Sequence, residues 1–267
     1  MDMDKLLQEF IKSGENLEID SGFYSYNNIS KSIPFMRLGL DMLKKTYTNL
    51  QIYEDIIEMS KFTSDLPAIS IHLDREKIDK LAKVINDFKN NRRGKYLVIY
   101  LGLFFDNSGH ATVLFIQKNK NTVVMERYDP DYSLDTDQDL IDDYMSLLSI
   151  YLGVVYVPAS RACPFIGPQK SSQDRFGYCQ TYVLQYVRDR LMFALSTSDQ
   201  IVNNTFEKLK NKKTFVKGLD NTIKSVMRYM FSTYKIPDDM RTLIMGFNNL
   251  SITRQNFVTE YLTSLRK

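Results

Sequence analysis

The feature that most constrains this chain is a change of period at Lys95. KYLVIYLGLFF, HATVLFIQ and TVVMERYD follow one another with only the short polar breaks NSG and KNKN between them. Val, Ile, Tyr and Phe dominate all three segments, and these are the residues that suit a pleated, half-buried surface. Three such runs joined by tight turns predict an antiparallel meander. The apolar run from Tyr96 to Phe105, ten residues bounded by Lys95 and Asp106, is too short to cross a bilayer and predicts a buried strand.

The meander also arranges chemistry. His110 opens its second strand and Asp129 closes its third. A hairpin turning at KNKN sets the start of one strand against the end of the next, which brings His110 and Asp129 to the same end of the sheet. An imidazole needs a carboxylate on one nitrogen to fix its tautomer before the other can accept a proton. Glu126 is a rival carboxylate, but it lies three residues deeper and on the opposite face of its strand, so Asp129 is the preferred partner.

Beyond Asp129 the acid-rich DPDYSLDTDQD leads into a helix with the apolar stripe Leu140, Ile141, Tyr144, Leu147, Leu148 and Tyr151, stopped by Gly153. The acids fit a helix N-terminal charge bias rather than a metal site, because no His or further Cys accompanies them at ligand spacing. Val154 to Val157 makes a short buried strand. A polar loop with Gly167, Pro168 and Gly177 then ends abruptly in an amphipathic helix from about Tyr178, with Tyr182, Val183, Tyr186, Val187 and Leu191 on one stripe. Cys179 falls in its first turn, where free backbone N–H groups and the helix dipole favour a thiolate. A lone Cys on an apolar helix is more often packing than catalysis. The ordered company of His110 and Asp129 makes Cys179 the candidate nucleophile. Cys163 has no acid or base at comparable spacing and reads as structural.

Outside this middle region the periodicity is helical. Residues 1–92 read as a helical N-terminal lobe, with Met3 to Lys12, Phe35 to Lys61 and Arg75 to Asn90 at helical spacing, Asp74 as an N-cap, and the polar EIDSGFYSYNNISKSIP as a connection. His72 sits in a short strand-like stretch with no second ligand or base nearby and reads as structural. Residues 93–267 form the expected catalytic core, closed by helices from Ser198 to Lys210, Phe215 to Tyr234 and Ser251 to Leu265, with Gly218, Pro237 and Gly246 as breaks. The cluster Lys208, Lys210, Lys212, Lys213 and Lys217 reads as a solvated face, with an acidic substrate surface or an inositol phosphate as the alternative it would suit. A net charge of +3 does not call for a nucleic-acid partner, two cysteines make no disulfide framework, and MDMDKLLQEF lacks the basic and apolar regions of a secretory leader. The expectation is a protein of the cytosol with no membrane partner, no metal and no cofactor.

The order His110, Asp129 after 19 residues, and Cys179 at a helix start after 50 more resembles clan CE of the cysteine peptidases. This group includes the SUMO proteases, the adenovirus maturation proteinase and several bacterial effectors. Tyr128-Asp129-Pro130 matches the aromatic that precedes the acid at a strand end. GHATVLFI, MERYDP and GPQ followed by GYCQTYVLQYVRDRL look most like the clan members encoded by large DNA viruses. The resemblance spans residues 95 to 195 and implies an α+β, papain-like core with a mixed or antiparallel sheet flanked by helices. It also implies a Cys179, His110, Asp129 triad and an oxyanion glutamine at Gln173, six positions before the cysteine, or at Gln169, in the proline-glutamine pair. The activity implied is cleavage of a peptide or isopeptide bond, with ubiquitin or a ubiquitin-like modifier as partner. Two alternatives share the triad: a viral polyprotein maturation protease and an acetyltransferase effector. Ala111 stands where the family commonly has Trp, and Gln180 where it commonly has Gly after the cysteine, so the diglycine channel of the clan is not spelled out here.

Overall fold

In a computed structural model the chain is described over residues 33–53, 57–63, 69–72, 75–105, 108–120, 122–132, 138–163, 166–172, 178–245 and 250–265. The meander forms as its composition requires. Strands β4 (Tyr96–Phe105), β5 (Ser108–Asn119) and β6 (Thr122–Tyr128) pair antiparallel, with Leu103 opposite His110 and Val113 opposite Tyr128. Strand β7 (Val155–Val157) adds parallel to β6. On the other side, β1 (Leu50–Ile52) and β2 (Ile57–Thr63) lie one after the other along β4, both parallel to it, with Leu50 opposite Tyr96 and Ile57 opposite Leu101. Strand β3 (Ile69–His72) pairs antiparallel with the outer side of β2. The described residues therefore form a seven-stranded mixed sheet in the order β3-β2-β4-β5-β6-β7, with β1 sharing β4.

Side-chain alternation splits this sheet into two buried faces. Tyr96, Val98 and Tyr100 of β4, Ala111, Val113 and Phe115 of β5, and Tyr128 of β6 point to one core. That face is covered by α1 (Ile33–Thr46), α6 (Cys179–Met192), α7 (Ser198–Leu209), α8 (Lys212–Thr233), α9 (Asp238–Met245) and α10 (Ile252–Ser264). Leu97, Ile99, Leu101, Leu103, Leu114, Ile116 and Met125 point to the other core, under α2 (Arg75–Asn90) and α3 (Gln138–Leu152). The short helices α4 (Ala159–Ala162) and α5 (Pro168–Ser171) belong to the loop that precedes α6. Helix α6 is buried almost all round: from Gln180 to Leu191 only Arg188 is left partly exposed. A helix enclosed in this way is held by its neighbours rather than by solvent, and it fixes where its first residue, Cys179, must lie.

Four expectations are corrected. The helix read from Phe35 to Lys61 stops at Thr46, and the chain continues as β1 and β2, so the described part of residues 1–92 is not all helical but supplies three strands. The partner of β1 and β2 is β4, more than forty residues away in sequence, and local periodicity carries no sign of it. In α3 the buried stripe is Ile141, Met145, Leu148 and Leu152, whereas Leu147 and Tyr151 are each 69 % exposed. Gly218 does not break a helix but lies within α8, and Asp238–Met245 is a helix of its own, with Asp238 and Asp239 favourably placed in its first turn. The expected helix from Met3 to Lys12 and the Asp74 cap lie outside the described residues. Gly153 does close α3, at φ 61°, with Lys89 donating to the Leu152 carbonyl at 3.1 Å. A Cβ at Gly218 would meet nothing within 4 Å. Gly218→Ala is therefore expected to stabilise the fold by about 0.5–1 kcal/mol, read as a higher denaturant midpoint with an unchanged slope.

Candidate active site

Extending the β5/β6 register one pair beyond Val113 and Tyr128 sets Thr112 opposite Asp129. Thr112 Oγ1 donates to the Tyr128 carbonyl at 2.5 Å, which holds the end of β6 in place. His110, one pair further along the same face, is the diagonal neighbour of Asp129. Its Nε2 lies 2.6 Å from Asp129 Oδ1, with the Asp129 side chain wholly buried and that of His110 16 % exposed. Asp129 Oδ1 also accepts the Asp131 N–H at 2.9 Å, while Oδ2 lies 3.3 Å from Arg127 Nη1. On the other side of the imidazole, the Cys179 side chain hydrogen-bonds His110. With Nε2 committed to Asp129, Nδ1 is the ring nitrogen left for the sulfur. The three side chains thus converge in the order acid, imidazole, thiol.

The electrostatics follow from that order. Burial opposes a charged imidazole, yet the Asp129 carboxylate, with help from Cys179, holds the His110 pKa well above its ordinary 6.5. Burial likewise opposes the Asp129 carboxylate, but His110, Arg127 and the Asp131 amide bring its pKa below the ordinary 3.8. The stability contributed by His110 is accordingly full below about pH 6.5 and fades as pH rises through its raised folded value. The contribution of Asp129 is full above about pH 3.8 and fades as pH falls through its lowered one. An imidazolium flanked by a carboxylate and a sulfur is the charge pattern that activates a thiol nucleophile.

Helix α6 is moored to the sheet by a buried polar cluster on the opposite face of β6 from Asp129. Arg190 donates to both oxygens of Glu126, at 2.9 and 3.0 Å, and to Gln117 Oε1 at 3.2 Å. Tyr186 donates to Glu126 Oε2 at 3.2 Å and stacks on Tyr128 with ring centroids 4.0 Å apart. Glu126, the rival carboxylate, is thus committed to the helix and not to the imidazole.

The loop before α6 is docked on the turn that follows Asp129. Gln169 donates its N–H to the Pro130 carbonyl at 2.8 Å, and Gly167 donates to the Tyr132 carbonyl at 2.7 Å. Ser172 Oγ donates to the Gln169 carbonyl and lies 3.0 Å from the Tyr182 hydroxyl on α6. The Gln169 side chain is buried, and its Oε1 has no hydrogen-bond partner among the described residues. Gln173 lies outside the described residues. A Cβ at Gly167 would land on the Pro130 carbonyl oxygen and within 2.8 Å of the Tyr132 nitrogen, both backbone atoms. Gly167→Ala is expected to force the acid turn and the Gln169 loop apart, costing about 1–3 kcal/mol in denaturant unfolding.

Sequence reasoning did not find Tyr100. Gln180 Nε2 donates to its hydroxyl at 3.4 Å, and burial, reinforced by the field of the Cys179 thiol, pushes its phenol pKa upward. A tyrosine inside a buried strand carries no mark that would separate it from core. Cys163 is fully buried, and burial, reinforced by Asp129, pushes its thiol pKa up, away from reactivity. His72 ends β3, with β2 and β4 between it and the strand of His110. Among the described residues no group of three or more His, Cys, Asp or Glu is placed to hold a metal ion, and no helix is long and apolar enough to cross a membrane.

No protein-family model matches the chain, and no curated protein matches it. Solved structures do. The central domain of the uncharacterized Lpg1148 protein from Legionella pneumophila is 15 % identical at TM-score 0.41, over 68 % of this chain and 89 % of that one. AvrA delL154, solved with IP6 and CoA, is 11 % identical at TM-score 0.40 over 100 % of this chain and 99 % of that one. The Legionella pneumophila effector RavZ, in complex with human LC3B, is 12 % identical at TM-score 0.38 over 75 % of this chain and 57 % of that one. At these scores the likenesses assign no activity and no partner to the chain.

Proposed function

We propose that this chain is a cysteine-type peptidase or isopeptidase of the clan CE kind, with Cys179 as nucleophile, His110 as general base and acid, and Asp129 as the orienting carboxylate. The observation that carries this reading is the imidazole of His110, held 2.6 Å from a buried carboxylate on one side and hydrogen-bonded by a helix-start thiol on the other. His110 takes the thiol proton, and Cys179 attacks the scissile carbonyl. The oxyanion is received by the Cys179 backbone N–H and a glutamine side chain, Gln169 or Gln173. The imidazolium then protonates the leaving amine, and a water, deprotonated in turn by His110, releases the acyl group.

The substrate class we favour is ubiquitin or a ubiquitin-like modifier. The support for it is the ordered motif of residues 95 to 195, GHATVLFI, MERYDP and GYCQTYVLQYVRDRL, and the spacing of the three residues within it. A panel of ubiquitin and ubiquitin-like propargylamide probes, followed by mass mapping of the adduct, tests both parts. An adduct at Cys179 with one member supports the reading. Labelling by iodoacetamide but by no member of the panel would confine the protein to a reactive thiol without modifier specificity.

A further inference from the structure

Asp129 shares a second buried network that the proposed reaction does not use. Arg127 stands two residues before it, on the same face of β6, and is only 1 % exposed. Its Nη1 lies 3.3 Å from Asp129 Oδ2, and its Nε lies 2.7 Å from Oδ1 of Asp142 on α3. That same Asp142 oxygen also accepts from Tyr156 of β7, at 2.5 Å, and from the Ala159 N–H at 3.3 Å. The second Asp142 oxygen is buried with no hydrogen-bond partner among the described residues. One guanidinium therefore divides itself between two carboxylates, the closer contact being with the one remote from the imidazole.

We propose that Arg127 is a positioning residue for the His110–Asp129 pair, and that Asp142, by competing for the same guanidinium, sets how firmly Asp129 holds the imidazole. The inference rests on the reading of His110 as the base of the proposed reaction. A buried arginine that merely joined β6 to α3 would need only the Asp142 contact. The additional approach to Asp129 Oδ2, opposite the oxygen that meets His110, makes the guanidinium electrically part of the pair. Arg127 draws charge away from the Asp129 face turned to His110, and Asp142 limits that draw. At an effective dielectric near 20, unit charges several ångströms apart interact by an energy worth about one pKa unit or more, so the balance is measurable at the imidazole.

Other groups also face this pair. Cys179 of α6 hydrogen-bonds His110, and Tyr100 of β4 is within the field of Cys179. Cys163, after α4, and Tyr128 of β6 are within the field of Asp129. Tyr156 and Tyr132 lie within that of Arg127, with Asp139 of α3 beyond Tyr132 and Asp131 contributing its amide to Asp129. Burial pushes Tyr100, Tyr128, Tyr156 and Cys163 to high pKa values, so they stay neutral through the range in which His110 is titrated. Cys179 is removed in the test below.

The test is an NMR titration of the His110 imidazole in the full chain carrying Cys179→Ala, with no substrate present. The chain has two histidines, so His72→Gln completes the assignment. Asp142→Asn frees Arg127 to act on Asp129 and is expected to lower the His110 pKa by about half a unit. Arg127→Met leaves two uncompensated carboxylates and is expected to raise it by about one unit. Arg127→Lys, which keeps the charge, is expected to bring it back toward the starting value. Folded variants that leave the imidazole within about 0.2 units of its starting value, or that move it in the same direction, overturn the proposal. If Arg127→Met does not fold, the sign of the Asp142→Asn shift decides alone, and failure of both to fold assigns Arg127 to the core and overturns it as well. Probe labelling of the unsubstituted chain is read separately, so a silent thiol counts against the proposed function and not against this arrangement.

Discussion

His110→Ala is expected to slow adduct formation at Cys179 by about 10²–10⁴-fold, and Cys179→Ala to abolish it. The cause is local. With Nε2 occupied by Asp129 at 2.6 Å, the ring is held for one partner, the helix-start sulfur, and without it the thiol loses the base that the proposed reaction gives it. Asp129→Asn should cost less than His110→Ala, because the imidazole remains while an amide in the same place can turn its NH₂ toward Nε2 and favour the wrong tautomer. The three substitutions act on one unit, so His110→Ala combined with Asp129→Asn is expected to cost little more than His110→Ala alone. Second-order labelling rates measured with the same probe over the four variants and the unsubstituted chain decide the matter. A His110→Ala chain that labels at the unsubstituted rate removes His110 from the chemistry and the proposed mechanism with it.

Arg190→Met should be the most damaging single change to stability, at about 3–5 kcal/mol, against the ~5–15 kcal/mol by which a domain is usually held together. Its guanidinium answers both oxygens of Glu126, donates to Gln117 and also meets the Ser196 carbonyl. Removing it leaves a carboxylate only 7 % exposed with the Tyr186 hydroxyl as its remaining side-chain partner in that cluster. Glu126→Gln on top of Arg190→Met should recover much of the loss, since the uncompensated charge is gone while Tyr186 keeps an acceptor. The pH dependence gives a second reading. Burial already raises the Glu126 pKa against the pull of Arg190, and without Arg190 it rises further. As pH falls through that raised value the folded chain takes up a proton that the unfolded chain does not, so the deficit of Arg190→Met shrinks toward acid pH. Chemical denaturation at several pH values checks this; a deficit independent of pH would mean that lost packing, and not the stranded carboxylate, is the cause.

The parts of this fold that could be read from sequence are those whose partner lies next door. The meander announces itself because β4, β5 and β6 pair with their immediate successors, and the proximity of His110 to Asp129 follows from a single turn. The helix from Cys179 is equally plain, although its near-complete burial is not, since Gln180, Gln185 and Arg190 are polar side chains and only the fold shows Glu126, Gln117 and Tyr100 meeting two of them. The strands β1 and β2 are hidden because their partner β4 is remote, and Leu50, Tyr53 and Ile57 also fit a helical step. In α3 two apolar stripes compete, and only the position of Met125 and its neighbours selects Ile141, Met145 and Leu148 over Leu147 and Tyr151. Arg127 could have been suspected, as a base two residues before an acid on one strand face. Asp142 could not, for nothing in its own helix points to β6.

The placement of β1 and β2 along β4 also governs how this protein can be cut. A fragment starting at residue 93 would retain His110, Asp129 and Cys179 but leave the N–H and C=O groups of Tyr96 to Phe104 that face those strands without their partners. An uncapped ribbon of Tyr, Leu, Val and Ile of that length invites copies of itself. Such a fragment should come out of expression as aggregate, recoverable by adding back a peptide that spans Leu50 to Thr63.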